Sequence, residues 1–312
     1  MVLAGVLLAA GCGSGDGDGD WLKGLRSPEA TPSSEEPAPS PSTTPPLTGT
    51  EYQELLRTTV APLNSALSTL RKGGSDKAVD SALTAAADAA AESHRLLDEA
   101  DVPAEITTQH DAYVTALNDL AADLGSTQQG RGDGTFCTGA AANAHLGSGT
   151  SLKAALDTAR ALGDSGYDAG LAVSAFPKEA NHRLSSGKFV KDGKRNGRGV
   201  LKITGGDEDA VVTLARGGKA VFSVYVRKNG KAQVKSISDG SYAIYFTSGT
   251  DWNAKARKFN RGCTYEKFEK KAKFTTKTTS TQITYTIFTI GLKTTLGGNS
   301  PVNPIEPGEL PK

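Results

Sequence analysis

The sequence predicts an α+β fold in separate domains, with an N-terminal Ala-rich helical bundle followed by a C-terminal all-β sandwich. Between residues 51 and 165, apolar residues recur every three or four positions, which is the spacing of amphipathic helices. Between residues 196 and 298, apolar and polar residues alternate in short runs separated by Gly, Asp and Asn turns, a pattern typical of antiparallel strands. A chain of 312 residues is long enough for two such domains and their linkers.

The charge of the chain changes sign where this pattern changes. The net charge is +1, yet residues 1–165 carry 10 Lys and Arg against 22 Asp and Glu, and residues 166–312 carry 25 against 12. Such an asymmetry indicates charged partners, or docking of one half of the chain on the other.

Residues 1–12 have the pattern of a lipoprotein signal. The apolar run Val2–Ala10 is much shorter than the roughly 20 residues that span a bilayer. The sequence Leu8-Ala9-Ala10-Gly11-Cys12 resembles the processing site of bacterial lipoproteins. The resemblance implies a lipid on the Cys12 sulfur and an anchor on the extracytoplasmic face of the cell membrane. No Lys or Arg precedes the apolar run, which leaves open a translation start further upstream.

Residues 13–50 predict a disordered tether. This stretch is rich in Pro, Ser, Thr, Gly and Asp and has too few apolar residues to offset the entropy of an ordered chain. Its proline-rich centre favours extended polyproline II structure.

The helical region contains four amphipathic segments joined mostly by short connections, which indicates an antiparallel bundle. A loose loop is expected at residues 125–134, and the fourth segment is interrupted at Gly147-Ser148-Gly149. The expected bounds of the segments are about 51–72, 75–100, 103–124 and 136–162.

The sandwich follows a connector at residues 166–195, which is rich in Lys and Arg near its end and has the character of a solvated linker with one short strand at Leu171–Phe176. Seven or so strands over about 100 residues suit a two-sheet sandwich, with a small barrel as the alternative. Residues 299–312 are expected to form a flexible tail. Turns are expected at Gly205-Gly206, Gly217-Gly218, Asn229-Gly230 and Asp239-Gly240.

Two resemblances fall in this β region. The element Asp239-Gly240-Ser241-Tyr242 resembles the Gly-x-Tyr turn and strand of transthyretin-like and carboxypeptidase regulatory-like sandwiches. More broadly, residues 195–300 look like a module of secreted and membrane-attached proteins of Streptomyces-type actinobacteria, through motifs such as Asp251-Trp252 and Arg261-Gly262-Cys263. That module has no assigned activity, so the resemblance implies a sandwich fold and an extracytoplasmic location without a catalytic residue.

Three cysteines occur in the chain, and lipidation of Cys12 would leave Cys137 and Cys263. An extracytoplasmic location permits these two to form a disulfide. Two separate thiols in different domains are the alternative that the sequence leaves open.

One basic stretch of the sandwich is a candidate site for an anionic ligand. Cations alternate with aromatic residues there, which suits an anionic wall polymer or lipid headgroups, whereas nucleic acid is not expected outside the cell. Two alternatives are a solvated basic edge above buried aromatics, and internal docking on the acidic bundle. The candidate residues are Lys255, Arg257, Lys258, Arg261 and Trp252.

No catalytic constellation, metal motif or cofactor motif is predicted. Gly163-Asp164-Ser165-Gly166 has the letters of a protease nucleophile motif but follows a helical segment, and Arg131-Gly132-Asp133 falls in a Gly-rich loop. The sequence therefore favours a non-enzymatic lipoprotein with a binding or envelope-interaction role. The alternative is a hydrolase or enzyme accessory at the junction of bundle and sandwich, which would need His145 or His182 to meet carboxylates.

Overall fold

The computed structural model describes residues 45–293 and 301–312. The predicted signal at residues 1–12, including Cys12, and most of the predicted tether at 13–50 lie outside the described residues. Within the described part, a helical region precedes a β region, and each has its own hydrophobic core. The predicted order of a helical bundle followed by a β-sandwich is confirmed. No helix in the described ranges is long and apolar enough to cross a membrane.

The helical region begins where the sequence supplies a cap. Thr48 and Glu51 form a reciprocal capping box at the start of the first helix, and Ser75 accepts a hydrogen bond from the Ala78 amide at the start of the second. The third helix starts after a single 3-10 turn at Ala104–Ile106. The helices are α1 Gly49–Lys72, α2 Asp76–Asp98, α3 Thr107–Gly132, α4 Gly139–Ser148 and α5 Ser151–Asp164.

The expected loop at 125–134 is wrong for most of its length, because α3 continues to Gly132. Thr127 and Gly130 are buried in the bundle, so packing outweighs the low helix propensity of glycine here. Arg131 is largely buried and pairs with Asp80 through Nε at 2.6 Å. The Arg131-Gly132-Asp133 triplet is therefore part of the bundle and does not present a free arginine.

The first half of the connector at residues 166–195 packs against the helical region, and no strand forms at Leu171–Phe176. Its first half lies along α1, where Gln53 exchanges two hydrogen bonds with the Asp168 backbone and Asn64 accepts one from the Ala172 amide. Leu171 and Phe176 are buried in the bundle core, which explains why the segment stays against the helices. We call residues 166–182 the strap.

The β region contains a large sheet, a small sheet and a hairpin. The large sheet has the strand order β1-β4-β3-β6-β7-β12, with β8 also paired to β6, and the small sheet has the order β11-β2-β5. Strands β9 and β10 form the hairpin. The strands are β1 Phe189–Lys191, β2 Gly199–Thr204, β3 Asp209–Arg216, β4 Lys219–Val226, β5 Lys231–Ile237, β6 Gly240–Asn253, β7 Lys258–Phe268, β8 Ala272–Phe274, β9 Thr276–Thr278, β10 Ile283–Tyr285, β11 Ile287–Gly291 and β12 Val302–Pro304.

The sandwich core lies between the two sheets. Val212, Phe222 and Ile244 of the large sheet pack with Leu201 and Val234 of the small sheet. Lys202 and Thr204 of β2, and Lys231, Gln233 and Lys235 of β5, point away from this core and are exposed, whereas Val200 at the start of β2 is buried. The pleat therefore turns one face of the small sheet towards solvent.

The expected flexible tail at 299–312 is wrong for its described part. Strand β12 pairs antiparallel with the end of β7, and the Lys312 carbonyl accepts a hydrogen bond from the Ala220 amide at 3.2 Å. Val302 packs against the sandwich core. Val302 thus gives the C-terminus a docking contact that its Pro-rich composition did not suggest.

Candidate functional site

The junction between the helical and β regions is built on the segment that links α3 to α4. The Cys137 amide donates to the Asn260 carbonyl at 2.8 Å, and the Gly262 amide donates to the Thr135 carbonyl at 3.0 Å. A disulfide joins Cys137 to Cys263, with Cα atoms 6.1 Å apart. Of the two alternatives that the sequence leaves open for these cysteines, the structure contains the disulfide.

A buried carboxylate at the junction fixes the strap to the large sheet. Asp251 is 6% exposed and accepts hydrogen bonds from the His182 amide at 2.8 Å, from His182 Nδ1 at 2.7 Å and from Asn260 at 2.7 Å. Burial raises the pKa of Asp251, but these hydrogen bonds outweigh burial and hold the pKa below its usual range. Asn260 in turn accepts from Thr138, the cap of α4, at 2.6 Å.

A second histidine at the junction lies between two carboxylates. His145 Nε2 is 3.4 Å from Asp123, and His145 Nδ1 is 3.6 Å from Glu179. Glu179 also pairs with Arg261 at 3.1 Å, so the chain of charges connects α3, α4, the strap and β7. The contacts are partly exposed and link four elements, which is the character of a structural network.

The alternative of an enzyme at the junction requires His145 or His182 to meet carboxylates, and both do. His182 and Asp251 have the geometry of a base oriented by a carboxylate. However, the His182 side chain is 72% exposed, and the ring's only hydrogen bond among the described residues is the one to Asp251. A nucleophile in contact with the ring, which the triad chemistry requires, is thus not part of the described arrangement.

The predicted anionic-ligand patch is divided by the structure, and Trp252 does not belong to it. Trp252 is 4% exposed and packs edge-to-face on Phe259 and Tyr225, so its ring faces the protein. Phe259 and Phe268 of β7 are buried as well. These aromatic side chains are therefore core, as in the alternative of a solvated basic edge above buried aromatics.

The cations of the predicted patch split into a docked pair and a free pair. Arg261 contacts Glu179 and donates to the Ala180 carbonyl at 2.9 Å, while Lys258 lies 3.6 Å from Asp76 at the start of α2. Lys258 therefore serves internal docking on the acidic bundle, and Arg261 holds the strap against β7. Lys255 and Arg257 are exposed in the turn between β6 and β7.

A different cationic surface lies on the outer side of the small sheet, and the patch predicted from the sequence does not include it. Lys202 of β2 pairs with Gln233 of β5, and Lys231 of β5 pairs with Thr204 of β2. Lys235 follows on the same strand, next to core residue Val234. We call Lys202, Lys231 and Lys235 the cationic face; all three are exposed. Strands β2, β5 and β11 contain no Asp or Glu.

More positive charge lies along the free edge of the small sheet. The Gly197 amide donates to the Ser236 carbonyl of β5, and Arg195 donates to the Lys235 carbonyl at 3.3 Å. This brings exposed Lys194 and Arg198 beside the cationic face. The signal was present in the sequence as lysines at alternate positions of Lys231–Lys235, but only the strand pairing unites them with Lys202.

Cavities elsewhere in the described part offer less for an anionic ligand. A cavity of about 610 Å³ lies between α5 and the strap and is lined in part by Asp164 and Asp168. Another of about 210 Å³ opens at one end of the sandwich beside Asp207, Glu208 and Glu266. Burial raises the pKa of Glu266, and all of these carboxylates would repel an anion.

Within residues 45–293 and 301–312, no group of three or more His, Cys, Asp and Glu side chains is arranged to hold a metal ion.

Comparisons of the chain with known protein families, curated proteins and solved structures find no match.

Proposed function

We propose that this chain is a membrane-anchored extracytoplasmic lipoprotein, of actinobacterial type, whose folded part binds an anionic component of the cell envelope without catalysis. The ligand is an anionic wall polymer or the headgroups of lipids, which share phosphate or carboxylate charge. Nucleic acid is not expected as a partner. Neither a cofactor nor a metal takes part in this function.

The observation that carries the proposal is the cationic face. Its three lysines are exposed on one side of a sheet, and none lies within 4.0 Å of a carboxylate in the described part of the chain. By contrast, the positive charges of Arg261 and Lys258 are already paired with Glu179 of the strap and Asp76 of α2. Unpaired cations on a rigid sheet face retain their attraction for an external anion.

The expected strength of this attraction is moderate. A lysine near an anionic surface contributes about 1 kcal/mol at physiological ionic strength, so the cationic face supplies about 3 kcal/mol. That energy alone corresponds to weak, reversible binding, which a lipid anchor would make effective by holding the protein at the envelope.

The extracytoplasmic location is supported by two independent observations. Leu8–Cys12 has the pattern of a lipoprotein processing site. The Cys137–Cys263 disulfide suits an oxidising compartment, because disulfides are rare in proteins of the reducing cytosol.

Replacement of three lysines tests the binding role. The variant Lys202→Gln, Lys231→Gln, Lys235→Gln should lose most binding to purified envelope fragments in co-sedimentation. The matched control Lys72→Gln, Lys77→Gln, Lys178→Gln removes the same charge from exposed lysines of the helical region and the strap and should bind like the parent. A separate variant with Lys255→Gln and Arg257→Gln tests the free pair of the predicted patch. Unchanged binding by the first variant would contradict the proposal.

Cys12→Ser tests the anchor. Without the thiol no thioether-linked lipid can form, so the variant should move from the membrane fraction to the soluble extracytoplasmic fraction. A protein that stays with membranes after this change would remove Cys12 from the proposal.

A second candidate is a hydrolase or enzyme accessory at the junction, favoured by the hydrogen bond between His182 and Asp251. It predicts that His182→Ala abolishes an ester- or amide-hydrolysing activity of the full chain while the melting temperature changes little. If the parent chain hydrolyses no such substrate, this candidate is eliminated.

A further inference from the structure

Three large hydrophobic residues are exposed in the described part of the chain, and all three lie between residues 283 and 287, at every second position. Ile283, Tyr285 and Ile287 are 43%, 46% and 52% exposed. Ile283 and Tyr285 share one side of β10, and Ile287 is the first residue of β11. Thr286 connects the two strands: its amide donates to the Thr275 carbonyl and its carbonyl accepts from the Val200 amide. Phe288 and Ile290 follow Ile287 on β11 and point inward: Phe288 packs near Phe274, and Ile290 is buried. We call Ile283, Tyr285 and Ile287 the apolar ladder.

The apolar ladder continues into the cationic face. Strand β11 pairs in parallel with β2, so that Ile287 lies beside Val200 and Thr289 lies beside Lys202. Residues paired in this way share one side of the sheet. Ile287, the last residue of the ladder, therefore lies on the same side of the sheet as Lys202. The two residues are on neighbouring strands and are offset by two residues along them.

The surroundings of the ladder carry little negative charge. On the hairpin, Ile283 and Tyr285 pair with Thr278 and Thr276, whose side chains are neutral. A carboxylate that the structure shows at the base of the hairpin is Asp239, and both of its oxygens accept hydrogen bonds from Thr276 at 2.8 Å. Strands β9 and β10 contain one charged residue, Lys277.

Exposed apolar side chains beside lysines suit a lipid bilayer better than a hydrated polymer. Tyrosine is enriched at the boundary between headgroups and acyl chains, and aliphatic side chains gain free energy only where an apolar phase is available. Lysines beside them attract anionic headgroups. A wall polymer offers charge but no apolar phase, so it would leave the ladder in water.

We infer that the apolar ladder inserts into the interfacial region of an anionic lipid bilayer while Lys202, Lys231 and Lys235 bind the lipid phosphates. The inference rests on the proposed function and narrows its ligand to lipid. It makes the small sheet the membrane-facing side of the β region, in addition to any anchor at the N-terminus.

The test uses the full chain with Cys12→Ser, so that binding does not depend on a lipid anchor. The probes are vesicles of phosphatidylglycerol and phosphatidylcholine, vesicles of phosphatidylcholine alone, and dextran sulfate as a soluble polyanion. The ladder variant Tyr285→Ser, Ile287→Thr should lower affinity for the anionic vesicles by about tenfold or more, since the loss of two buried methylene groups already corresponds to a factor of roughly that size. Its affinity for dextran sulfate should change less than about twofold, because its charge is unaltered. Thr284→Ala, on the opposite side of the hairpin, is the control.

A reporter variant gives a second readout. Tyr285→Trp preserves an interfacial aromatic side chain and should retain vesicle binding. Its fluorescence, compared with that of the parent, should be quenched by lipids brominated in the upper acyl chain. Binding without quenching would show that position 285 stays in water and would overturn the inference.

The outcomes separate this inference from the proposed function. If the parent binds neither anionic vesicles nor dextran sulfate, the proposed function fails, and the inference fails with it. If the three-lysine variant loses binding but the ladder variant binds vesicles like the parent, only the inference fails. If the ladder variant converts a lipid-free dimer to a monomer and leaves vesicle affinity unchanged, the ladder binds a second copy of the chain and the inference is wrong.

Discussion

Asp209 is the residue whose charge most directly stabilises the large sheet. It is buried at the start of β3 and accepts hydrogen bonds from Arg183 Nη2 at 2.5 Å, from Tyr225 at 2.5 Å and from the Lys228 amide at 2.7 Å. The contacts join the end of the connector, strand β4 and the turn that follows β4. One carboxylate thus holds three chain segments that are distant in sequence.

Replacing this carboxylate should be costly. Asp209→Asn leaves Arg183 without its ionic partner, so the free energy of unfolding should fall by about 2 to 3 kcal/mol, less than for a fully buried pair because Arg183 is about one-third exposed. Asp192→Asn is the control, since Asp192 pairs with Arg195 at the surface and should change stability by less than about 0.5 kcal/mol. Urea denaturation at pH 7 measures both values, and equal effects would contradict the assignment.

The same residue predicts a loss of stability in acid. Burial raises the pKa of Asp209, but the bonds from Arg183, Tyr225 and the Lys228 amide outweigh it and bring the pKa to about 2. The pKa of an unfolded Asp is about 3.9, so Asp209 stabilises the fold by about 2 kcal/mol above pH 4 and loses this contribution as the pH falls towards 2. The difference in stability between the parent and Asp209→Asn should therefore shrink across this window. A difference that is constant from pH 7 to pH 2 would contradict the lowered pKa.

Among the elements, the strap depends on its close approach to α4. A Cβ atom added at Gly147 would lie 2.0 Å from the Pro177 carbonyl oxygen, far inside van der Waals contact. The sequence predicts an interruption of a helix at Gly147, and α4 does end at Ser148. The glycine is also required because another segment crosses the helix there, which periodicity within one segment cannot reveal.

Gly147→Ala should destabilise the protein by about 1 to 3 kcal/mol, since either the strap or α4 must shift. Gly163→Ala is the matched control: it lies in α5 with no atom within 4 Å of the new Cβ, and alanine favours a helix, so stability should stay the same or rise by up to about 1 kcal/mol. Thermal unfolding compares the two variants. A neutral Gly147→Ala would show that the strap does not cross α4 at this distance.

In the whole molecule, the disulfide fixes the relation between two parts that each have a core. It closes 126 residues of separation, from the end of α3 to strand β7. Ion pairs between Lys258 and Asp76 and between Arg261 and Glu179 lie near it. Lys258–Asp76 joins the basic half to the acidic half, as one of the sequence alternatives proposes, whereas Arg261–Glu179 joins β7 to the strap.

Thiol titration checks this arrangement. The chain with Cys12→Ser should show no reactive thiol before reduction and two after reduction and denaturation. Reduction should lower the free energy of unfolding by about 2 to 5 kcal/mol, because the unfolded chain regains the freedom that the crosslink removes. Two thiols in the unreduced protein would exclude the Cys137–Cys263 bond.

The sequence predicted what depends on local pattern. The helical and β regions and the turn at Asn229-Gly230 follow from spacing and backbone preferences within a few residues. The cap at the start of α1 was not predicted, because Thr48, which forms it, falls inside the stretch expected to be a tether. The burial of Trp252 and the cationic face depend on which strands become neighbours, and pairing across tens of residues leaves no mark in one sequence. Likewise, strand β12 forms because it pairs with the edge of β7, and this pairing could not be predicted from residues 302–304 alone.

The central claim is that the cationic face binds an anionic surface by charge. Binding of the Cys12→Ser chain to anionic vesicles or envelope fragments should weaken steeply as salt is raised from about 0.05 M to about 0.5 M, because screening shortens the reach of exposed charges. The variant with glutamine at positions 202, 231 and 235 should bind weakly with a much smaller dependence on salt. Parent binding that is insensitive to salt, or equal in parent and variant at low salt, would contradict the claim.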